Sequence, residues 1–375
     1  MIALCVAPFY LFFNFWLIFR FVKWTGAKEK LRIVIDAISA VIVLLPGIAF
    51  LVPADWAIKR WLMLMGNYWL GIDFYALLAG LIFLVIRKIF GEKKIWGWLV
   101  VIILVMVSAI GIYQAQNVQT SNYSVNIKSD KSDQLNIALV ADLHMGYSVG
   151  ESQIEDMVKE INNIEDLDLV VIAGDIFDNE YKALENPEEL KELFKSIKSK
   201  YGVYACWGNH DVAEKILCGF TFPSNQLHRD PEMVDFLSDC NIKLLCEEGV
   251  NVDNRFYLFG RADAHKPCNV EKRMSPEDIV ASAPKDLPLI VLDHEPTEND
   301  EFASAGADLI LSGHTHNGQI FPVNLALKLM GGYQYGEYHV GDTSSIVSSG
   351  VGVFGPYMRL GTISEVCNIK VNIGE

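Results

Sequence analysis

Long apolar runs dominate the first third of the chain, and shorter apolar runs separated by polar clusters fill the rest. Four runs, each near or above the ~20 residues that cross a hydrocarbon layer, follow one another: Ile2 to Phe21, Ile33 to Val52, Trp61 to Ile86 and Ile95 to Tyr113. Tryptophans gather near their ends, where interfacial aromatic side chains are expected. The pattern predicts an all-α transmembrane region of four helices over residues 1–116.

The pattern changes after this region. Residues 117–134 are polar and predict a linker, with a first edge strand as the alternative. From residue 135 onward, short apolar runs alternate with amphipathic stretches, which is typical of an α/β domain. We therefore expect one α/β domain over residues 135–375. Its predicted strands are Leu135 to Val140, Leu167 to Ala173, Gly202 to Trp207, Leu287 to Leu292 and Asp308 to Leu311.

Polar side chains follow each of the five predicted strands directly. They are Asp142 and His144, then Asp175, then Asn209, His210 and Asp211, then His294, and finally His314 and His316. Asp and Asn are common turn residues, but histidine at four of five strand ends is not explained by turns. Ligands of open α/β sheets bind at the carboxyl ends of the strands. The pattern therefore predicts a metal site there.

The donor atoms of this set are oxygen and nitrogen, without a thiolate. Such a set favours Mn, Fe or Zn over a structural zinc built from cysteines. Seven or more ligands are too many for one ion. We therefore expect two divalent metal ions bridged by one carboxylate, at the ~3.5–4 Å separation of two-metal hydrolases.

These motifs resemble a known superfamily. Asp142-x-His144, Gly174-Asp175, Gly208-Asn209-His210-Asp211, His294 and Gly313-His314-x-His316, in this order, are similar to those of the calcineurin-like metallophosphoesterases. Residues 313–320, together with Gly350-Val351-Gly352, Pro356 and Arg359, resemble the bacterial membrane-attached branch. The resemblance covers about residues 135–372. It implies a four-layer αββα sandwich.

The resemblance also implies a role for each site residue. Asp142, His144 and His316 would bind the first metal. Asn209, His294 and His314 would bind the second, and Asp175 would bridge the two. His210 would face the substrate as a catalytic residue, with Asp211 orienting it. In this chemistry a hydroxide between the metals attacks phosphorus, and His210 protonates the leaving oxygen or stabilises the phosphoryl charge.

The chain departs from the superfamily pattern at a few positions. Asn317 stands where the branch usually has Gly, and Ser364-Glu365-Val366 replaces Pro-Glu-Ile. Protein phosphatases of the superfamily carry Asp-Arg-Gly where this chain has Asp178-Asn179-Glu180. The last difference favours a small-molecule, diester or lipid-linked substrate over a phosphoprotein.

Charge separates the two parts of the chain. Residues 1–116 carry eleven Lys/Arg and five Asp/Glu, whereas residues 117–375 carry twenty and forty-one, a net −21. A domain this acidic is a poor partner for nucleic acid. Basic residues concentrate in the first and third loops between the apolar runs, which predicts that these loops are cytoplasmic. We therefore expect a multi-pass protein of the cell membrane whose catalytic domain is extracytoplasmic.

Together these features predict a membrane-anchored, dinuclear-metal-dependent phosphoesterase that hydrolyses a phosphodiester or pyrophosphate of a lipid-linked or envelope substrate. The alternative is a four-span sensor or transporter whose outer domain binds metal or phosphate without turnover. His265, after Arg261-Ala262-Asp263, either lines the pocket or faces solvent. The six cysteines of the domain permit disulfides without specifying a pairing.

Overall fold

The computed structural model describes residues 2–54, 56–91, 93–217, 220–222, 229–266 and 273–374. They divide into a helical unit (Met1–Tyr113, Glu214–Pro223, Phe354–Leu360) and an α/β unit (Gln114–Ala213, Ser224–Val353, Gly361–Glu375). In chain order the elements are α1 (Ile2–Thr25), α2 (Glu29–Leu51), α3 (Ala57–Phe90), α4 (Lys94–Gln116), β1 (Val118–Lys128), β2 (Asp133–Val140), α5 (Glu151–Asn162), β3 (Leu169–Ala173), α6 (Pro187–Lys195), β4 (Val203–Cys206), β5 (Lys215–Leu217), β6 (Phe220–Phe222), α7 (Pro231–Asp239), β7 (Ile242–Leu244), β8 (Glu248–Val252), β9 (Phe256–Gly260), α8 (Pro276–Ser282), β10 (Leu289–Leu292), α9 (Asn299–Ala305), β11 (Leu309–Ser312), α10 (Val323–Met330), β12 (Gly336–Val340), β13 (Thr343–Val347) and β14 (Ser364–Gly374).

The helical unit corrects the predicted number of membrane spans. Among the described residues, three helices, α2, α3 and α4, are long and apolar enough to cross a membrane. The first predicted span, Ile2 to Phe21, forms helix α1, but α1 is not one of these three. Asn14, Arg20 and Lys23 lie within α1. The prediction of four spans is therefore wrong by this measure.

Two six-stranded sheets form the α/β unit. The first has the order β1-β14-β2-β3-β4-β7, and the second has the order β12-β13-β11-β10-β9-β8. In the first sheet β2, β3, β4 and β7 are parallel neighbours. In the second sheet β9, β10, β11 and β13 are parallel neighbours. Each sheet therefore has a row of carboxyl strand ends along one edge, where polar side chains can converge.

One hydrophobic core draws on both sheets. It contains alternate residues of β2, such as Leu135, Ile137 and Leu139, and of strands in the second sheet, such as Ile290 and Leu309, all buried. A smaller cluster packs α8 and α9 against the second sheet. The α/β class predicted from the sequence is confirmed. The four-layer αββα arrangement stays a prediction.

All five predicted core strands are present, with ends shifted by at most two residues from the predicted positions. The polar stretch 117–134, predicted as a linker or an edge strand, contains strand β1 over Val118–Lys128. Strand β1 pairs in parallel with β14 at the edge of the first sheet. Its burial alternates along part of its length, since Val125 and Ile127 enter the core while their neighbours do not.

Candidate metal centre

The two sheets bring the predicted site residues together at their carboxyl strand ends. Strand β2 leads to Asp142 and His144, β3 to Asp175, and β4 to Asn209 and His210. In the second sheet, β10 leads to His294, and β11 leads to His314 and His316. Because these strands are parallel neighbours within each sheet, their ends lie side by side.

One group of donor atoms is formed by Asp142, His144 and His316. A ligand atom of each lies within 4.8 Å of the others. The Nε2 atoms of His144 and His316 are 3.1 Å apart, and His316 Nε2 is 3.7 Å from Asp142 Oδ1. All three residues are buried. This is the set that the superfamily resemblance assigns to the first metal.

A second group is formed by Asp175, His294 and His314. Asn209 joins it, because its Oδ1 lies 3.2 Å from His294 Nε2 and 3.0 Å from His314 Nδ1. A 2.8 Å hydrogen bond between His294 Nδ1 and the Ala173 carbonyl fixes the orientation of the His294 imidazole. That bond directs Nε2 toward the group, as backbone partners do for metal-binding histidines.

The carboxylate of Asp175 reaches both groups. Its Oδ2 lies 3.1 Å from His294 Nε2 and 3.7 Å from His144 Nε2. Its Oδ1 accepts a hydrogen bond from the His210 backbone N–H at 2.7 Å, which fixes the orientation of the carboxylate.

The donor spacing fits divalent metal ions. Two nitrogens bound to one ion at ~2.1 Å lie about 3.0–3.4 Å apart for octahedral to tetrahedral angles. The observed 3.1 Å between His144 and His316 falls in this range. The carboxylate, carboxamide and imidazole donors match the preferences of Mn, Fe and Zn. The residues present therefore fit the metals that the sequence predicts.

The backbone of the site is strained. Five of the seven predicted ligands are non-glycine residues with positive φ: Asp142 (51°), His144 (45°), Asp175 (51°), His314 (74°) and His316 (50°). This region is disfavoured for residues with a Cβ atom and persists where the surroundings enforce it. Such residues cluster at functional sites, which agrees with the assignment.

Two motif glycines allow the close approach of strand ends, Gly208 within the first sheet and Gly313 between the two sheets. A Cβ atom on Gly208 would lie 2.2 Å from Asp175 Oδ1 and 2.4 Å from the Asp175 backbone nitrogen. A Cβ atom on Gly313 would lie 2.5 Å from Asp142 Oδ2. Any larger side chain at either position would displace a predicted metal ligand.

His210 lies beside the first group, with its ring centroid 5.1 Å from that of His144, and it is buried. Its Nδ1 hydrogen bonds to the Oδ1 of Asn179 at 2.7 Å. Asp211 was predicted to orient His210, but its oxygens accept hydrogen bonds from the Phe177 and Gly208 backbone N–H groups, each 2.8 Å long. Asp211 therefore contacts the backbone turn and Asn179 contacts the imidazole, and the orienting role of Asp211 stays a prediction.

The contact between Asn179 and His210 is one that the sequence did not reveal. The stretch Asp178-Asn179-Glu180 stood out only as a departure from the protein phosphatases. Asn179 is fully buried, and its Nδ2 donates to the Val212 carbonyl at 3.1 Å. Both partners lie more than thirty residues further along the chain, so local spacing carries no signal of the contact.

Burial and neighbouring charge set the ionisation of the site. Burial raises the pKa of Asp178 and of Asp211 to about 7, and the nearby Asp175 carboxylate adds to both shifts. Burial favours a raised pKa for Asp175 as well, but the imidazoles around it, His294 foremost, hold its pKa well below the usual range. Burial lowers the pKa of His314 to about 4. Asp175 is therefore ionised and His314 neutral at pH 7, the states in which they bind metal.

Comparison with known proteins agrees with this arrangement. A family model described as calcineurin-like phosphoesterase matches residues 135–318. A metallophosphoesterase of Campylobacter jejuni is 30% identical over 278 residues, which are 70% of this chain and 67% of that protein. A transmembrane protein with a metallophosphoesterase domain from Bos taurus is 28% identical over 72% of this chain and 61% of its own length.

A third relative has a more specific name. The UDP-2,3-diacylglucosamine pyrophosphatase LpxG of Chlamydia trachomatis is 24% identical over 50% of this chain and 64% of its own length. The chain spans 61 to 67% of the lengths of these three relatives. The family model and the Campylobacter relative together carry the assignment: the chain belongs to the calcineurin-like phosphoesterase family, a family of phosphoric ester hydrolases.

Proposed function

We propose that this protein is a membrane-anchored phosphoesterase that depends on two divalent metal ions. The observation that carries the proposal is the position of Asp175. One of its carboxylate oxygens lies 3.1 Å from a histidine nitrogen of one ligand group and 3.7 Å from a histidine nitrogen of the other. A single carboxylate shared by two ligand groups is the arrangement of two-metal hydrolases.

The predicted ligands form two metal-binding sets and one bridge between them. Asp142, His144 and His316 hold one ion, and Asn209, His294 and His314 hold the other. Two such ions, when bound, supply Lewis acidity to phosphate oxygens and lower the pKa of water. Asp175 holds the two ligand groups at a fixed separation. The site has no activated serine or cysteine among the described residues that line it, so we expect direct hydrolysis without a covalent enzyme intermediate.

His210 completes the catalytic set. The hydrogen bond from Nδ1 to Asn179 leaves Nε2 as the atom that meets the substrate. From there the imidazole donates a proton to the leaving oxygen or a hydrogen bond to the phosphoryl group. The 2.7 Å bond between the His210 backbone N–H and Asp175 couples its position to that of the ligand carboxylate.

The decisive test is hydrolysis of bis-p-nitrophenyl phosphate by the full chain in detergent. We expect activity with Mn²⁺, loss of activity after chelation with EDTA, and recovery when Mn²⁺ is returned. A sensor or transporter domain would bind the metal without turnover. Absence of hydrolysis in the metal-loaded protein would reject the phosphoesterase assignment and leave that alternative.

We expect Asn179→Ala to lower kcat about 10- to 100-fold, the usual cost of losing a group that orients a catalytic or metal-binding histidine. KM should change little, because Asn179 does not face the substrate. Asn179→Asp keeps the acceptor and should shift the alkaline side of the pH–rate profile to higher pH, since a carboxylate favours the protonated imidazole.

Asn251, whose side chain pairs with Asn254 in an exposed turn, provides the matched control in Asn251→Ala. Steady-state kinetics of the three variants measure the effect. Unchanged kcat in Asn179→Ala would assign the orientation of His210 to another group.

A lipid-linked substrate fits this chain best. Helices long and apolar enough to span a membrane precede the α/β unit and restrict it to the membrane surface. The name of the Chlamydia relative describes pyrophosphate hydrolysis on a diacylated sugar nucleotide. The net charge of −21 over residues 117–375 disfavours nucleic acid as the substrate. We therefore propose a phosphodiester or pyrophosphate carried by a lipid or an envelope component.

Two features support an extracytoplasmic domain. Arg87, Lys88, Lys93 and Lys94 lie around the start of helix α4, and no basic residue follows the helix before Lys128. By the positive-inside rule its start is cytoplasmic and its end is outside, whatever the position of α1. In addition, Cys246 is disulfide-bonded, and disulfides persist in oxidising compartments.

Protease added to intact cells should therefore digest the α/β unit, because the unit would be exposed outside the cytoplasmic membrane. Immunoblotting with an antibody to the carboxyl-terminal strand measures the loss. Permeabilised cells serve as the control for accessibility. Complete protection in intact cells, followed by digestion after permeabilisation, would place the unit in the cytoplasm.

A further inference from the structure

A third group of potential metal ligands lies beside the two groups of the proposed centre. Asp263 follows strand β9, His265 lies two residues later, and Glu295 comes directly after the predicted ligand His294. A ligand atom of each lies within 4.8 Å of the other two, and none of the three belongs to the other groups. We propose that Asp263, His265 and Glu295 bind a third divalent cation beside the catalytic pair.

The side chain of Asp263 provides the main argument for a bound cation. Its side chain is fully buried. Its Oδ1 accepts hydrogen bonds from the backbone N–H groups of His265 (2.9 Å) and Lys266 (2.7 Å), which fix the carboxylate plane. Its Oδ2 is buried and has no hydrogen-bond partner among the described residues. A buried carboxylate oxygen without a partner is costly, and a cation satisfies it.

Glu295 places a second carboxylate at the same position. It is 3% exposed, and its Oε1 lies 2.7 Å from His265 Nδ1. The side chain of His265 is 73% exposed. It forms the solvent-facing side of the group, so an ion can reach the group from solvent. Two buried carboxylates repel each other, and a divalent cation between them removes this repulsion.

The nearby arginines do not satisfy Asp263 Oδ2. Arg229 lies within electrostatic reach of Asp263, but its guanidinium donates to the Asp211 and Lys266 carbonyls. Arg261 and Arg273 lie on either side of the group in sequence, but both donate to Asp293 and Glu298. A protonated His265 paired with Glu295 would neutralise one carboxylate and leave Asp263 Oδ2 without a partner. A bound cation serves all three side chains at once, which is why we favour it over the simple ion pair.

The donor set indicates the kind of ion. One imidazole nitrogen and two carboxylate oxygens suit Mn²⁺, Fe²⁺ or Zn²⁺ and leave coordination positions open. Ligand bonds of ~2.1–2.2 Å allow donor atoms up to about 4.4 Å apart, so the group needs only a small closure from its present spacing. Because Glu295 adjoins His294, an ion here would also restrain the segment that carries this predicted ligand.

The test counts metal ions and does not depend on catalysis. The full chain in detergent is stripped with EDTA and titrated with Mn²⁺, with free Mn²⁺ followed by electron paramagnetic resonance. We expect Asp263→Asn and His265→Gln each to bind one Mn²⁺ per chain fewer than the unaltered protein. His265 is exposed, so His265→Gln tests the site without threatening the fold.

His339, another exposed histidine beside a carboxylate, provides the control in His339→Gln, which should keep the full number of ions. If Asp263→Asn and His265→Gln both bind as many ions as the unaltered protein, the third site does not exist. This inference goes beyond the proposed function and fails separately from it. A protein that binds the extra ion without hydrolysing phosphoesters would reject the function and retain the site.

Discussion

Replacing Asp175 by asparagine is expected to reduce phosphoesterase activity by at least about 10³-fold. Loss of a group that only orients a metal ligand already costs about 10- to 100-fold, and Asp175 contacts both ligand groups. Asparagine has nearly the same shape and can still accept the hydrogen bond from the His210 backbone N–H. The change therefore removes the negative charge and leaves the local packing in place.

The loss of charge should also release metal. The imidazoles around Asp175 hold its pKa far below the usual range, although burial acts in the opposite direction. The carboxylate is thus ionised at any pH at which the enzyme is assayed. A neutral amide cannot offset the charge of two cations, so the metal content should fall by at least one ion per chain.

Two measurements test this expectation: hydrolysis of bis-p-nitrophenyl phosphate and metal content by mass spectrometry of the purified chain. Asp342→Asn is the matched control, because the Asp342 side chain is 80% exposed and pairs only with the exposed Lys128 in the described structure. It should keep both activity and metal. If Asp175→Asn retained the rate and metal content of the unaltered protein, the bridging role would have to be abandoned.

The convergence of the predicted ligands could be expected from the sequence because of how parallel strands are buried. Strands covered on both faces appear as continuous apolar runs, and each run here ends abruptly in Asp, Asn or His. Leu169–Ala173 and Leu309–Ser312 are examples, both fully buried along their lengths. Since parallel strands align their carboxyl ends, the sequence order of these endings was enough to predict one convergent site.

Other features depend on contacts that local sequence does not encode. The hydrogen bond of Asn179 to His210 joins a loop to a turn 31 residues away. Strand β14 pairs with β1 across the sequence, with Ser364 opposite Val118, and no periodicity marks this partnership. The length of the first apolar run suggested a span, but α1 is not among the three helices of the described residues that are long and apolar enough to cross a membrane. The hydrophobic pattern was therefore enough to predict helices and strands. It did not predict hydrogen bonds and strand pairings between residues far apart in the sequence.

Replacing Arg261 by methionine is expected to destabilise the protein by about 3 kcal/mol. Arg261 is 2% exposed, and its Nη1 lies 2.8 Å from Asp293 Oδ2 and 2.9 Å from Glu298 Oε2. Its guanidinium also donates to the Met274 carbonyl and stacks 5.0 Å from the Phe302 ring centre. Removing one partner of a buried ion pair costs about 3–5 kcal/mol. We expect the lower end, because Arg273 still contacts Asp293.

The pH dependence of the stability loss in Arg261→Met distinguishes the effect of the lost charge from the effect of the lost packing. Burial raises the pKa of Asp293 even though Arg273 and Arg261 oppose the shift, and loss of Arg261 should raise it further. A carboxyl whose pKa is raised in the folded state is destabilising when ionised, so this cost grows as pH rises from the unfolded-state value through the folded-state value. The stability deficit of Arg261→Met should therefore be smaller at pH 5 than at pH 8. A deficit due to packing alone would be equal at both.

Thermal unfolding of the full chain in detergent measures the effect. A loss of 3 kcal/mol corresponds to a decrease in Tm of roughly 6–12 °C for a unit of this size. Lys128→Met removes a cation from a pair whose side chains are 78% and 80% exposed, and its effect should stay within about 0.5 kcal/mol. Arg261→Met with an unchanged Tm would mean that this buried network contributes nothing to the stability of the second sheet. The segment after β10, which carries His294, would then have to be held by its own hydrogen bond to Ala173.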